Sequence, residues 1–236
     1  MTLARRVVAE LVGTAFLVAA VIGSAIAATR LSPNDVGLQL LQNSVATGAV
    51  LVALILALGP VSAAFNPVVT MIDVALRRVP GRDASALILA QIAGGVLGAV
   101  VANLMFGLGA VSISTKERAG GDLWLAEVIA TLGLVLVIAG SQRSRRPEAL
   151  AFAVGGYITA AYWFTSSTSF ANPAVTLART FSDTFAGIRP GSAVVFVLMQ
   201  CLGGALALLL VRFLFADVGD RHARDISHNH EGAPSR

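Results

Sequence analysis

Two short segments that begin with Asn-Pro are the parts of this sequence best suited to bind a small polar molecule. They occupy positions 66–76 and 172–182. Asparagine caps a helix and proline suits its first turn, so each pair predicts a helix start. The amides of Asn66 and Asn172 can also donate hydrogen bonds. Both segments are too short to cross a bilayer, and such segments at matching places in two halves are typical of a transport site.

Two glutamates, Glu10 and Glu127, are the only acids well inside the main apolar segments. A charge inside a membrane is costly and needs an explanation. One interpretation is a proton or cation site. The other is structural, in which each carboxylate accepts hydrogen bonds from the irregular backbone leading to a half-helix, because that backbone must be satisfied by protein. The symmetric placement of the two acids favours the structural role.

The groups used by most enzymes are missing from the apolar part of the chain. The single cysteine, Cys201, lies in an apolar run, and all three histidines lie near the C-terminus. A hydrolase or an intramembrane protease is therefore not expected, and neither is a cofactor. The histidines His222, His228 and His230 could bind a metal weakly, but a solvated tail is the simpler interpretation, so we predict no metal site.

The composition requires a bilayer around these groups. The chain is 56% hydrophobic and 13% charged, and its mean hydropathy is +0.79. A soluble domain could not cover its surface with so few charges. The basic residues lie between apolar segments, so the net charge of +4 does not indicate nucleic-acid binding. Six segments are long enough to span, at positions 7–28, 38–58, 84–108, 122–141, 148–166 and 189–215.

The two halves of the chain share one pattern. Beyond the glutamates and the Asn-Pro pairs, Gln-Ile-Ala-Gly-Gly at 91–95 is echoed by Gln-Cys-Leu-Gly-Gly at 200–204. Each repeat therefore has the order helix, helix, half-helix, helix. Three spans are an odd number, so the second repeat enters the membrane from the opposite side. The two half-helices then approach each other from opposite faces.

The sequence thus predicts an all-α membrane protein with six transmembrane helices and two re-entrant half-helices. Residues 1–216 form a single channel domain, with inverted repeats at about 5–108 and 122–216, and residues 217–236 form a polar tail that we expect to be disordered. If both termini are cytoplasmic, twelve Lys and Arg residues lie inside and five outside, the usual bias for a cell (inner) membrane protein. The outer five are Arg30, Lys116, Arg118, Arg179 and Arg189.

With these features the sequence resembles the aquaporin family over residues from about 5 to 216. The family's paired Asn-Pro-Ala motifs correspond to Asn66, Pro67, Val68, Asn172, Pro173 and Ala174. Valine in the first motif is a mild apolar change. The resemblance implies the family's right-handed bundle, in which two half-helix dipoles make the pore centre positive and repel cations. It also implies a homotetramer in the lipid bilayer, with one pore per subunit.

The position after the second motif is the main departure from that family. Water-selective members have arginine there, and this chain has Val175. Carried over by spacing, the other positions of the selectivity filter fall near Thr47, Ala160 (or Thr159) and Ser169. A ring of Thr, Ala, Ser and Val would be wide, with few strong donors and no fixed charge. The resemblance therefore implies a filter that passes solutes larger than water.

Arg179 lies four residues beyond Val175, on nearly the same helical face and about 6 Å further along. It could guard the outer vestibule. Alternatively, it could be structural and stabilise the negative end of its own half-helix. The structural interpretation is the simpler one.

The run at 167–175 resembles that of a bacterial subgroup associated with arsenic resistance, whose members pass arsenite, the uncharged triol As(OH)3. The leading hypothesis is a passive channel for small uncharged solutes: water, glycerol-like polyols and metalloid hydroxides. A water-selective channel is an alternative. A secondary active transporter, from a different class, would need coupling-ion ligands at mid-membrane, where the sequence offers only the two glutamates.

Overall fold

The computed structural model describes residues 1–143 and 147–215, and within them the chain forms eight α-helices and one short 3₁₀ turn. The predicted tail at 217–236 lies outside the described residues. The helices are α1 Leu3–Leu31, α2 Val36–Leu58, α3 Pro67–Ala75, α4 Gly81–Met105, α5 Gly121–Arg143, α6 Pro147–Phe164, α7 Pro173–Ala178 and α8 Pro190–Leu214.

Six of these helices are long. Five of them, α1, α2, α4, α5 and α8, have the length and apolar composition to cross a membrane. The sixth, α6, has 18 residues, about 27 Å of helix, and packs against α2 and α5. Large apolar side chains such as Phe16, Leu89, Leu125 and Leu209 are exposed on the outside of the bundle. Such a surface suits lipid and would be unfavourable in water.

The predicted repeat is visible in the packing. Helix α1 packs most extensively against α4, and α5 packs against α8. Glycines allow both contacts, since a side chain added at Gly94 would overlap the carbonyl of Leu11, and one at Gly203 would overlap the carbonyl of Val128. The repeats meet where α2 crosses α6.

The two half-helices are α3 and α7. Helix α7 is shorter than the predicted segment 172–182, because its α-helical part ends at Ala178 and continues as the 3₁₀ turn Arg179–Phe181. The bundle has two ends. The terminal end carries the start of α1 and the end of α8, and Arg6 pairs there with Asp83 of α4 at 3.3 Å. The loop end carries segments 106–120 and 182–189, which bond to each other.

Candidate functional site

Each half-helix is capped by the asparagine before it. Oδ1 of Asn66 accepts a hydrogen bond from the N–H of Val68 at 3.0 Å, and Oδ1 of Asn172 accepts one from the N–H of Ala174 at 2.9 Å. The proline that follows each asparagine occupies the first turn, where a helix has no partner for an N–H. The local sequence therefore fixes where each half-helix begins and directs its positive end to the middle of the bundle.

The two asparagines also bind each other's loops. Nδ2 of Asn66 donates to the carbonyl of Ala171 at 2.8 Å, and Nδ2 of Asn172 donates to the carbonyl of Phe65 at 2.7 Å. Phe65 and Ala171 precede the two asparagines and have left-handed φ angles of 47° and 49°. Each amide has a second N–H, and both asparagines line a cavity, so each can present one donor to a molecule inside it.

Glu10 is fully buried and accepts four hydrogen bonds, two of them from the backbone leading to α3. The donors are Ser62 Oγ at 2.5 Å, Ala64 N at 2.9 Å, Phe65 N at 2.7 Å and Gln91 Nε2 at 2.8 Å. The carboxylate thus holds the irregular segment before the first half-helix. The amide of Gln91 also reaches Thr70 Oγ1 at 2.8 Å, which ties α4 to α3.

Glu127 repeats this arrangement in the second half and is also fully buried. Its donors are Ser167 Oγ at 2.6 Å, Phe170 N at 3.0 Å, Ala171 N at 2.9 Å and Gln200 Nε2 at 2.6 Å. Gln200 in turn reaches Thr176 Oγ1 at 2.8 Å. In both halves each carboxylate oxygen thus accepts two hydrogen bonds, which are the contacts that the structural interpretation expects.

A cavity of about 310 Å³ passes between the two half-helices. It extends from Arg6 and Asp73 near the terminal end, past both asparagines, to Arg179 near the loop end. Residues 61–66 of the loop before α3 line one part of it, and apolar side chains of the long helices line most of the rest. The cavity combines apolar walls with the amide donors of two asparagines at its centre.

Comparison with known proteins agrees with this geometry. The model of the family described as "Major intrinsic protein" matches residues 1–152 and 146–233. The chain belongs to this family. It is similar to the aquaglyceroporin AqpS of Rhizobium meliloti (strain 1021), with 51% identity over 213 residues that cover 90% of this chain and 91% of AqpS. It is also 31% identical to the aquaporin AqpM of Methanothermobacter marburgensis over 245 residues, 92% of this chain and 100% of AqpM.

Among solved structures, the aquaglyceroporin from Plasmodium falciparum superposes with a TM-score of 0.74, covering 93% of this chain and 99% of that one at 18% identity. That likeness concerns the fold. The predicted aquaporin fold is confirmed, and the chain is a multi-pass membrane channel for small solutes rather than an enzyme. No group of three or more residues able to hold a metal ion occurs within 1–143 and 147–215.

Three of the residues assigned to the filter of this channel come together. Thr47, Ser169 and Val175 are all buried and all line the cavity on the loop-end side of the paired asparagines. Ser169 reaches it because the backbone at Thr168 and Ser169 is left-handed, with φ of 63° and 49°.

The residue assigned to α6 is different, and the structure corrects this prediction. Ala160 is exposed on the outer face of α6, and Thr159 bonds to the carbonyl of Gly155 at 2.9 Å instead of lining the cavity. Tyr162 lines it, with its hydroxyl 3.1 Å from Thr47 Oγ1. Two residues correspond to about 200° of helix rotation, so Ala160 and Tyr162 point in nearly opposite directions.

A sequence signal for Tyr162 exists in the spacing of α6. Leu150, Val154, Ile158 and Tyr162 all line the cavity and are four residues apart, which places them on one face of a helix. Tyr162 is the member of this row nearest the loop end, so the spacing predicts that it faces the cavity there.

Two basic side chains of segment 106–120 hold the loop between α7 and α8. Lys116 Nζ donates to the carbonyl of Phe185 at 2.8 Å, and Arg118 Nε donates to the carbonyl of Gly187 at 3.0 Å. Burial, together with the neighbouring charges of Arg118 and Arg179, lowers the pKa of Lys116 to about 8. The loop end of the channel is therefore surrounded by positive charge.

Proposed function

We propose that this channel conducts small uncharged solutes passively: water, glycerol-like polyols and metalloid hydroxides such as arsenite, As(OH)3. The observation that carries the proposal is Val175, an apolar side chain that faces the cavity beside Thr47 and Ser169. At that level the wall offers hydroxyl groups and apolar surface. A neutral solute with several hydroxyls can exchange hydrogen bonds there without meeting a fixed charge.

The centre of the channel supports the same class of solute. The N-termini of α3 and α7 point their positive ends at one another, so a cation is unfavourable between them. The amides of Asn66 and Asn172 keep a donor each for an oxygen atom passing through. The name of the relative AqpS, an aquaglyceroporin, agrees with a polyol as substrate.

Arsenite is included because As(OH)3 is an uncharged triol, close to glycerol in size and hydroxyl pattern, and because the run at 167–175 resembles that of arsenic-resistance channels. Passage through the channel requires no arsenic ligand. A dedicated binding site would need clustered thiols, and the chain has one cysteine, Cys201. Coupling to an ion gradient has no support at Glu10 and Glu127, whose oxygens are occupied by hydrogen-bond donors from the loops and from Gln91 and Gln200.

Tyr162 favours a second candidate, a water-selective channel. Its ring stands where the sequence indicated the small side chain of Ala160, and its hydroxyl contacts Thr47, so the filter is narrower than a ring of Thr, Ala, Ser and Val. The two candidates differ in one measurable quantity, the permeability to glycerol relative to water.

The test is stopped-flow light scattering on proteoliposomes containing the full chain, with As(OH)3 uptake measured in parallel. We expect rapid, non-saturating entry of water, glycerol and As(OH)3 without an ion gradient. Val175→Arg should keep water flow and reduce the two larger solutes, while Val175→Leu, which adds volume without charge, should have the smaller effect. Water flux alone in the unmodified channel would establish the second candidate.

We further propose a homotetramer in the cell (inner) membrane with both termini cytoplasmic. The exposed apolar side chains of the bundle need lipid or another subunit to cover them. Mass measurement of the detergent-solubilised channel tests the assembly, and a monomer that retains flux would contradict it. Protease access from each side of oriented vesicles tests the topology.

A further inference from the structure

Arg179 is a buried cation without an acidic partner in the described part of the chain. Its side chain is 2% exposed, and none of the ion pairs within 1–143 and 147–215 includes it. A buried guanidinium is costly unless its N–H groups find acceptors. The burial of this guanidinium therefore requires a structural or functional explanation.

Two contacts hold Arg179 in a defined orientation. Its Nε donates to the carbonyl of Ala186, and its guanidinium lies over the Phe170 ring, with Cζ 3.4 Å from the ring centroid. These contacts use one N–H and one face of the group. Within the described residues, the two terminal nitrogens of Arg179 have no protein acceptor. They are not fully buried, and the side chain lines the cavity, so these nitrogens can reach a molecule inside it.

We propose that Arg179 is the cationic hydrogen-bond donor of the selectivity filter, placed about one helical turn nearer the loop end than Val175. With Tyr162, whose hydroxyl connects it to Thr47 of the Val175 level, it forms a second polar ring, which we name the outer filter. This inference rests on the proposed passage of neutral solutes and identifies the residue that selects among them. Water-selective members of the family have their positive donor at the position of Val175, and in this chain the positive donor lies about one helical turn further along the pore.

The geometry of the outer filter matches a small polyhydroxyl solute. The terminal N–H groups of Arg179 donate to solute oxygens, and the hydroxyls of Tyr162 and Thr47 both donate and accept. Val175 and the edge of Phe170 supply apolar surface for the carbon or arsenic side. Because Nε and the aromatic stack fix the guanidinium in advance, little side-chain entropy is lost when a solute binds.

The same charge gives the loop end a barrier to cations. At a separation of about 6 Å and an effective dielectric of about 20, one unit charge changes the local concentration of a monovalent cation by about two orders of magnitude. The half-helix dipoles at the centre are fractional charges and lie deeper in the pore. Arg179, which lines the cavity itself, is therefore the charged barrier inside the pore at this end.

Three substitutions in the full-length channel separate charge from hydrogen bonding. Arg179→Met keeps an unbranched, flexible side chain that can still pack towards Phe170 but removes the charge and the N–H donors. We expect at least a tenfold rise in K⁺ leak and at least a threefold fall in the glycerol-to-water permeability ratio. Arg179→Lys keeps the charge and should retain K⁺ exclusion. Arg179→Gln keeps N–H donors and should retain the permeability ratio while leaking K⁺.

Arg118 provides a matched control. Its guanidinium lies 5.0 Å from the same Phe170 ring and also bonds loop carbonyls, but it does not line the cavity. Arg118→Met should leave both the K⁺ leak and the glycerol-to-water permeability ratio within twofold of the values for the unmodified channel. If Arg118→Met reproduces the Arg179→Met effects, Arg179 acts by holding the loop, and the proposal is overturned.

The remaining outcomes are also decisive. If the unmodified channel passes glycerol and Arg179→Met changes neither K⁺ leak nor the permeability ratio, the outer filter does not exist. If the methionine variant does not insert, the lysine and glutamine variants carry the test, and equal K⁺ leak in both overturns the proposal. If the unmodified channel passes no neutral solute, the proposed function itself has failed, and that result is visible before any variant is made.

Discussion

Replacing Glu127 by glutamine tests most directly how this channel holds its half-helices. The carboxylate accepts four hydrogen bonds, two from backbone N–H groups, one from a serine hydroxyl and one from Gln200. Glutamine has one oxygen instead of two, so its NH2 group must face two of these donors. The substitution changes hardly any volume, and its effect therefore comes from the altered hydrogen bonding and the lost charge.

The expected cost follows from the number of donors left unsatisfied. A buried donor without an acceptor costs about 1–3 kcal/mol, so two of them destabilise the channel by about 2–6 kcal/mol. At about 2–4 °C per kcal/mol for a chain of this size, the melting temperature should fall by at least about 4 °C. Glu10→Gln should behave alike, since Glu10 has the equivalent four donors.

The assay combines thermal unfolding in detergent with water flux in proteoliposomes, normalised to inserted protein. Glu148→Gln is the control, because Glu148 lies exposed in the first turn of α6 and loses at most about 1 kcal/mol of helix-dipole interaction. A Glu127→Gln channel with unchanged melting temperature and no flux would refute the reasoning, since it would mean that the carboxylate acts on the permeating species.

Three further predictions concern packing, pH and the tail. Gly48→Ala should destabilise the channel by about 1–3 kcal/mol, because the new Cβ would lie 2.8 Å from the carbonyl oxygen of Gly155 at the crossing of α2 and α6. Gly156→Ala, where nothing lies within 4 Å of the new Cβ, should be tolerated in the same melting experiment. Because burial lowers the pKa of Lys116 from 10.5 to about 8, the unfolded chain binds more protons between these values, so stability should rise from about pH 8 to pH 10.5. Lys116→Met should lack that rise in melting temperature, and an identical pH profile would count against the burial of the ammonium group. Removal of residues 218–236 should leave flux per inserted subunit unchanged, because the described helices end at Leu214, and a stable truncation without flux would contradict this.

The sequence was sufficient to predict the parts of the channel that depend on local chemistry. An Asn-Pro pair indicates a helix start by itself, and a long apolar segment indicates a transmembrane span. The sequence therefore predicted α3, α7 and the order of the long helices. The partners of Glu10 and Glu127 were predictable in kind, because a loop at membrane depth must be satisfied by protein. Which backbone groups would serve was visible only in the fold.

Ala160 was predicted to face the pore, and the structure places Tyr162 there instead, for a physical reason. Counting back from Asn172 crosses a loop with left-handed residues at Thr168 and Ser169, and such a loop does not preserve helical phase. The phase of α6 is set by its own packing, which brings Tyr162 into the cavity and leaves Ala160 outside. The second repeat also has one more residue between the anchoring serine and the asparagine, with Ser167 five residues before Asn172 and Ser62 four before Asn66.

The crossed bonds between the two asparagines and the opposite loops constrain the biogenesis of this protein. Asn66 and its acceptor Ala171 are 105 residues apart, and Asn172 and Phe65 are 107 apart. A nascent chain that has inserted only its first half therefore holds a re-entrant segment whose asparagine amide has no acceptor and whose Phe65 carbonyl has no donor. That segment can settle at mid-membrane depth only after the second half arrives. The centre of the pore is thus completed only after residues 171 and 172 have entered the membrane, and an isolated first repeat should be recognised by quality-control proteases.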